Sequence, residues 1–156
     1  MEYEYSFNVK DIRGYVDYCK EHSYELMSDT RQIRTIYRNN GLMARITQDI
    51  AHNKKIYTLD FKEDKLNNND LIIRKESKKI VFDNISNCEN ILEFLEYKKD
   101  NTLDRTRYVY EKGNVEFEID IYSKPTKTFV VAIEGKKNEV DKVFSDLEDL
   151  NKLYKI

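Results

Sequence analysis

Histidine and cysteine each occur only twice in the 156 residues, as His22 and His52 and as Cys19 and Cys88. Two histidines leave a His-rich zinc centre and a Ser-His-Asp triad without material. The cysteines have no partners at metal-binding spacing, and a reduced, cytoplasmic setting is the expected one. Proline occurs once, at Pro125, in an expected turn. No linker, low-complexity tract or internal repeat divides the chain, so one domain spanning 1–156 is expected. No apolar run approaches the length of a membrane-spanning helix. The opening Met1-Glu2-Tyr3-Glu4-Tyr5 also lacks the basic and apolar segments of a signal peptide. Neither sign of charge dominates: 27 Lys and Arg against 29 Asp and Glu give a net −2. That balance offers no general affinity for a nucleic acid backbone, and a polyanion would need a local cluster of cations. Catalysis would fall to carboxylates, lysines and arginines, with any metal held by oxygen.

What is present is aromatic and strongly patterned. Twelve tyrosines and seven phenylalanines argue for a packed core rather than disorder. Glu2 to Val9 alternates between polar and apolar, the period of a half-buried strand. Asp11 to His22 carries Ile12, Tyr15, Val16 and Cys19 at helical spacing, with Asn8 or Asp11 as cap. Alternation returns over Gln32–Arg38, setting Ile33, Thr35 and Tyr37 against Gln32, Arg34 and Arg38. Asn39-Asn40-Gly41 is a hairpin signal, and Leu42–Gln48 is the return strand. Ile56–Lys62 and Leu71–Val81 read as further strands around a turn at Asn67–Asp70. Asn84–Lys98 is helical at its centre. Arg105–Glu111 and Val115–Tyr122 form a hairpin about Lys112-Gly113-Asn114, Thr128–Glu134 is another strand, and Asn138–Tyr154 is an amphipathic helix. The pattern is α+β: antiparallel strands in hairpin succession with three helical segments.

The polar faces of these strands are charged to an unusual degree. On pattern alone, Glu2, Glu4, Arg74, Glu76, Arg105, Arg107, Glu116 and Glu118 describe a solvated sheet face. Two features point inward instead. Arginines and glutamates alternate along several consecutive strands with little Thr, Ser or Gln among them, and the opposite faces are apolar enough for helices to cover. A sheet covered on its apolar side can curl its charged side into a closed or nearly closed eight-stranded barrel, wide enough for side chains and one small ligand. Arginine forks suit phosphate oxygens, and carboxylates suit Mg²⁺ or Mn²⁺. His22 and His52 fall at a helix end and in a loop, and the tyrosines alternating with the charges read as core packing.

The order of these motifs resembles the CYTH superfamily, the triphosphate tunnel metalloenzymes. The opening Glu-x-Glu-x-Lys of that family reads Glu2-Tyr3-Glu4-Tyr5-Ser6 here. Arg45 in Leu42-Met43-Ala44-Arg45-Ile46 and Lys62 in Leu59-Asp60-Phe61-Lys62 match its early cations. Its Arg-x-Glu-x-Glu strand is Arg74-Lys75-Glu76-Ser77-Lys78, its Lys-x-Arg is Arg105-Thr106-Arg107, and its acids before an aspartate are Glu118-Ile119-Asp120. Its late Glu-x-Glu is Ala132-Ile133-Glu134. The resemblance spans nearly the whole chain, with Ser6, Lys78 and Ala132 departing from the family pattern.

The resemblance implies phosphate binding by Arg45, Lys62, Arg74, Arg105 and Arg107. It implies Mg²⁺ or Mn²⁺ binding by Glu2, Glu4 and Glu134, with Glu76, Glu118 and Asp120 as further candidates. Its activity would be hydrolysis of inorganic tripolyphosphate or of a nucleoside or thiamine triphosphate by water. Attack by a ribose 3′-hydroxyl would instead make an adenylate cyclase. Because the three departures leave the lining more cationic and poorer in carboxylates, a non-catalytic module that binds or sequesters triphosphates is the alternative. The expected partner is a small-molecule triphosphate or nucleotide, not a nucleic acid or a membrane. The C-terminal helix or a strand edge offers a homodimer contact.

Overall fold

The computed structural model describes residues 2–64 and 71–156; the side chains of Glu2 and 71–74, and the turn expected at Asn67–Asp70, lie outside the described residues. In chain order the elements are β1 (Glu2–Val9), α1 (Arg13–Glu21), β2 (Glu25–Asn39), β3 (Leu42–Ala51), β4 (Lys54–Glu63), β5 (Leu71–Arg74) and β6 (Ile80–Phe82). There follow α2 (Ile85–Phe94), β7 (Lys98–Lys112), β8 (Val115–Lys124), β9 (Thr128–Gly135), α3 (Lys137–Asp146) and α4 (Glu148–Tyr154). The fold is α+β, as the patterning predicts. Among the described residues no helix is long and apolar enough to cross a membrane.

All the strands join one antiparallel sheet in the order β5-β1-β9-β8-β7-β2-β3-β4-β6. The β2–β3 hairpin turns at Asn40 and Gly41, both at positive φ (48° and 79°), as its Asn-Gly sequence requires. The sheet is strongly curled. Lys62 on β4 reaches Glu4 on β1 at 3.3 Å, although five strands separate β4 from β1 in the sheet. The segment expected as one strand over Leu71–Val81 is divided, giving nine strands among the described residues. Its first part, β5, pairs with β1. The chain then crosses to β4, where Glu63 N donates to Lys75 O and Ser77 N donates to Phe61 O, before β6 extends the far edge. A single straight strand cannot serve both edges, so the break is what narrows the gap between them.

Helices back the outer face of this curl at two places. Phe7, Val9, Phe117, Ile119, Val131 and Ile133 pack under α1, α3 and α4 through Tyr15, Cys19, Val140, Val143 and Leu147. Tyr37, Ala44 and Ile46 pack under α2 through Cys88 and Leu92. The expected single C-terminal helix breaks at Leu147, which turns into the core and serves as both the end of α3 and the cap of α4. Residues that alternate with these core positions therefore face the inside of the curl. Phe117 is fully buried at the centre of the larger cluster. Phe117→Ala is expected to lower unfolding free energy by about 3–5 kcal/mol; a urea denaturation midpoint unchanged from wild type would contradict that packing.

A charged tunnel as the candidate functional site

The inside of the curl is a cavity of about 250 Å³, small beside drug-sized pockets and lined mainly by charged side chains. Its charges are segregated by strand. Glu4 on β1, Glu134 on β9, and Glu116, Glu118 and Asp120 on β8 form an acidic wall. Arg105 and Arg107 on β7, Arg34 on β2, Arg45 on β3 and Lys62 on β4 form a basic wall, with Glu76 and Lys79 at the crossing segment. Strand register makes the acidic wall. Glu4 stands opposite Glu134, and Glu134 opposite Glu116, so one rung of three adjacent strands carries three carboxylates. Gly135 lets the strands close there, since a Cβ at that position would lie 2.8 Å from the backbone oxygen of Asn114. The next rung is Ser6–Ala132–Glu118. Two of the three positions that depart from the family pattern are thus direct cross-strand partners.

Where the walls meet, between β7 and β8, Arg107 stands opposite Asp120. Its Nε and Nη2 donate to the two Asp120 oxygens at 2.7 and 2.8 Å, and its Nη1 donates to Glu118 at 2.6 Å. Burial disfavours the charge on Arg107, but Glu118 and Asp120 more than offset it and raise its pKa well above the usual value. The same bridge acts on Glu118. Burial alone would raise its pKa; Arg107, a hydrogen bond with Glu134, Arg105 and Arg34 bring it down to about 2. Glu116 moves the other way, raised by burial and by Glu118 and Glu111 against the pull of Arg107 and Lys79. Oxygens of Glu116, Glu118 and Glu134 lie within 4.8 Å of one another, a hard-oxygen group of the kind that holds a divalent cation.

On the basic wall, Arg45 stands opposite Asp60 and donates to both its oxygens, one at 3.0 Å, and to Glu76 at 2.5 Å. Burial works against its charge, yet Asp60 and Glu76 hold its pKa above the usual arginine value. Lys62 lies between Glu4 at 3.3 Å and Glu76 at 3.5 Å. Arg105 donates to Gln32 at 2.9 Å and to the Tyr122 hydroxyl at 2.6 Å, with an Asp120 oxygen at 3.8 Å. Arg34 donates from Nε to the Thr47 hydroxyl at 2.9 Å.

All the sequence-derived candidates whose side chains are described line this one cavity: Glu4, Arg45, Lys62, Glu76, Arg105, Arg107, Glu118, Asp120 and Glu134. The backbones of Glu2 and Arg74 pair across β1 and β5; their side chains lie outside the described residues. Buried Glu4, Arg105 and Arg107 exclude the reading of a solvated sheet face. The carboxylates that gather are Glu116, Glu118 and Glu134, while Glu4 is engaged by Lys62. Sequence reasoning passed over Arg34, Asp60 and Glu116 as site residues. Asp60 shares its strand face with Lys62, and Arg34 alternates with Gln32, but a cross-strand partner becomes visible only once register is known.

No protein-family model and no curated protein matches the sequence. Solved structures do match in shape. A conserved hypothetical protein from Pyrococcus furiosus superposes with TM-score 0.73 at 20% identity, over 97% of this chain and 89% of that one. A proposed adenylyl cyclase from Hippeastrum, HpAC1, described as having a dominant triphosphatase activity, superposes with TM-score 0.70 at 14% identity, over 99% and 90%. A chain of the Schizosaccharomyces pombe Mediator head module does so with TM-score 0.61 at 11% identity, over 99% and 98%. At these identities the likeness is one of fold: the chain shares the curled antiparallel α+β fold of these structures.

The Glu118 carboxylate, held down in the folded state, stabilises the fold above its unfolded pKa near 4.5 and loses that contribution as pH falls toward about 2. Urea denaturation across this interval should show stability declining with acid, and Glu118→Gln should flatten part of the decline. An unchanged profile in the variant would show that Arg107 does not hold Glu118 ionised.

Proposed function

We propose that the chain is a triphosphatase: it binds a triphosphate along the basic wall of the tunnel and transfers the terminal phosphoryl group to water, releasing a diphosphate and orthophosphate. The observation that carries this reading is the segregation of the walls, with a cluster of cations facing a cluster of three carboxylates across a cavity of about 250 Å³. Arg34 and Arg105 would take phosphate oxygens through their guanidinium donors, with Arg45, Arg107 and Lys62 adding positive charge beside them. Glu116, Glu118 and Glu134 would hold Mg²⁺ or Mn²⁺, their all-oxygen donor set being the hard type those ions prefer. A divalent cation bound there supplies Lewis-acid polarisation of a phosphoryl oxygen. The chain's own share is to fix the phosphates in line, exclude bulk water and neutralise charge with groups already set in place. The description of HpAC1 supports the choice of hydrolysis over cyclisation.

A binding-only role is favoured by one observation. Ala132, opposite Glu118, stands where the family pattern has a carboxylate, so the acidic wall is thinner than that pattern would make it.

Phosphate release from inorganic tripolyphosphate with Mg²⁺ or Mn²⁺ tests both readings. The expected result is turnover that chelation abolishes and that Glu134→Gln reduces about 100-fold or more, the scale of losing one charge-stabilising group. Thermal stabilisation by tripolyphosphate without release would establish the binding module instead. Neither stabilisation nor release would remove the triphosphate reading altogether, and cyclic nucleotide formed from ATP would replace hydrolysis with cyclisation.

A further inference from the structure

The far edge of the sheet carries an apolar surface that the tunnel does not use. Among the described residues twelve large hydrophobic side chains are exposed, and six of them fall within residues 80–95. These are Ile80 and Val81 on β6, Ile85, Ile91 and Phe94 on α2, and Leu95 at its end. The remainder are scattered over β2, β3, β4 and the C-terminal segment. Val81 is 69% exposed and Phe94 86%. Exposed apolar residues that stand singly need no explanation, whereas a cluster of this kind marks a surface that another molecule covers.

β6 ends the sheet. It pairs with β4 on one side and, among the described residues, with no strand on the other. Such an edge offers its backbone donors and acceptors to a further strand. α2 follows β6 directly and lies on the outer face beside it. Cys88 and Leu92 pack down onto Tyr37, Ala44 and Ile46, and Glu89 sits beside the Tyr37 hydroxyl of β2. At about 100° per residue, Ile91 and Phe94 project from the flank opposite Glu89, the side of β4 and β6. An open strand edge and an apolar helix flank therefore face the same way.

We propose that this edge is the contact between two copies of the chain, with β6 pairing antiparallel to β6 of the second copy about a two-fold axis through Val81. The edge sequence Lys79-Ile80-Val81-Phe82-Asp83 is self-complementary in that register. Ile80 then stands opposite the second copy's Phe82, and Lys79 opposite its Asp83, each pair occurring twice. Within one chain Lys79 and Asp83 are exposed and separated by four residues of extended backbone, about 13 Å, too far to pair with each other. A slip of one residue would turn the outer faces of the two sheets to opposite sides, and a slip of two would set Lys79 against Val81 or Ile85. Charge complementarity thus selects the same register that keeps both α2 helices on one face. A three-residue strand falls far short of the roughly 800 Å² that each partner buries in a standard interface, so the α2 flanks must close with it. Of the two homodimer contacts the sequence suggests, the strand edge is the one with a matching partner surface, and the assignment does not rest on the triphosphate reading.

Sedimentation equilibrium tests this on the wild-type chain, Val81→Glu, Phe94→Glu, Lys79→Glu, Asp83→Lys, the Lys79→Glu/Asp83→Lys double variant and Leu153→Glu. The wild-type chain is expected to reach twice its 18.8 kDa mass. Val81 and Phe94 are exposed in the single chain, so their replacement leaves the fold intact, and each variant should raise the dimer dissociation constant about 100-fold or more. Each single charge reversal sets like charges opposite one another twice and should weaken the dimer about 10-fold, while the double variant restores it to within a few-fold of wild type. Leu153→Glu, on the C-terminal helix, should change nothing. A wild-type chain that stays monomeric up to about 100 µM overturns the proposal and leaves the patch to a different partner. A dimer that survives Val81→Glu or Phe94→Glu, or that Leu153→Glu dissolves, overturns the β6–α2 contact. Failure of the double variant to recover overturns the register.

Discussion

The Arg107–Asp120 bridge is the interaction on which the rest of the interior depends. It lies on the seam where the basic wall of β7 meets the acidic wall of β8. Each partner would be costly to bury alone, and removing one side of such a pair typically costs about 3–5 kcal/mol. Because Arg107 also reaches Glu118, the seam sets the charge on the acid nearest to it. The two walls are therefore not independent surfaces. The ionisation of the carboxylates on one side is maintained by the arginines of the other, and a ligand entering between them meets a field that is already balanced at the seam and unbalanced away from it.

A second constraint comes from the outer face. Helices at two places take the apolar side of the sheet, which leaves the charged side no option but the inside of the curl. The fold thus trades a conventional core for a shell: the hydrophobic packing lies outside the barrel wall, and the centre is polar. That division explains how a chain with 36% charged residues still has well-packed clusters around Phe117 and Leu92. Related shapes occur in proteins as different as HpAC1 and a chain of the Mediator head module.

Much of this was legible in the sequence because period-two alternation reports the face of every residue directly. Glu2–Val9, Val115–Tyr122 and Thr128–Glu134 correspond closely to β1, β8 and β9. The candidates chosen from those faces and described here share one cavity. What the sequence concealed was register. The gathering of Glu116 with Glu134 follows from which residues of β8 and β9 stand opposite each other, and the pairing of Arg45 with Asp60 follows from the β3–β4 register. The long β2 and β7 were read as short strands because their outer ends lack clean alternation, although they pair along most of their lengths. The break in 71–81 was hidden for a different reason: its cause is the meeting of β1 and β4, elements distant in sequence.

The pairing of β2 with β7 has a consequence for how the molecule comes into being. Gln32 and Arg105, which touch across that pair, are 73 positions apart. Closing so long a loop is an entropic barrier that hairpins such as β2–β3 do not face. During synthesis, β2, β3 and β4 can emerge and pair while β7 is still unmade, leaving one edge of the nascent sheet open. The arginines of β2 and β3 are then accessible to water and to any soluble anion. Only when β7 and then β8 follow is that half of the molecule joined to Asp120, so the ligand cavity cannot be complete before those strands are made.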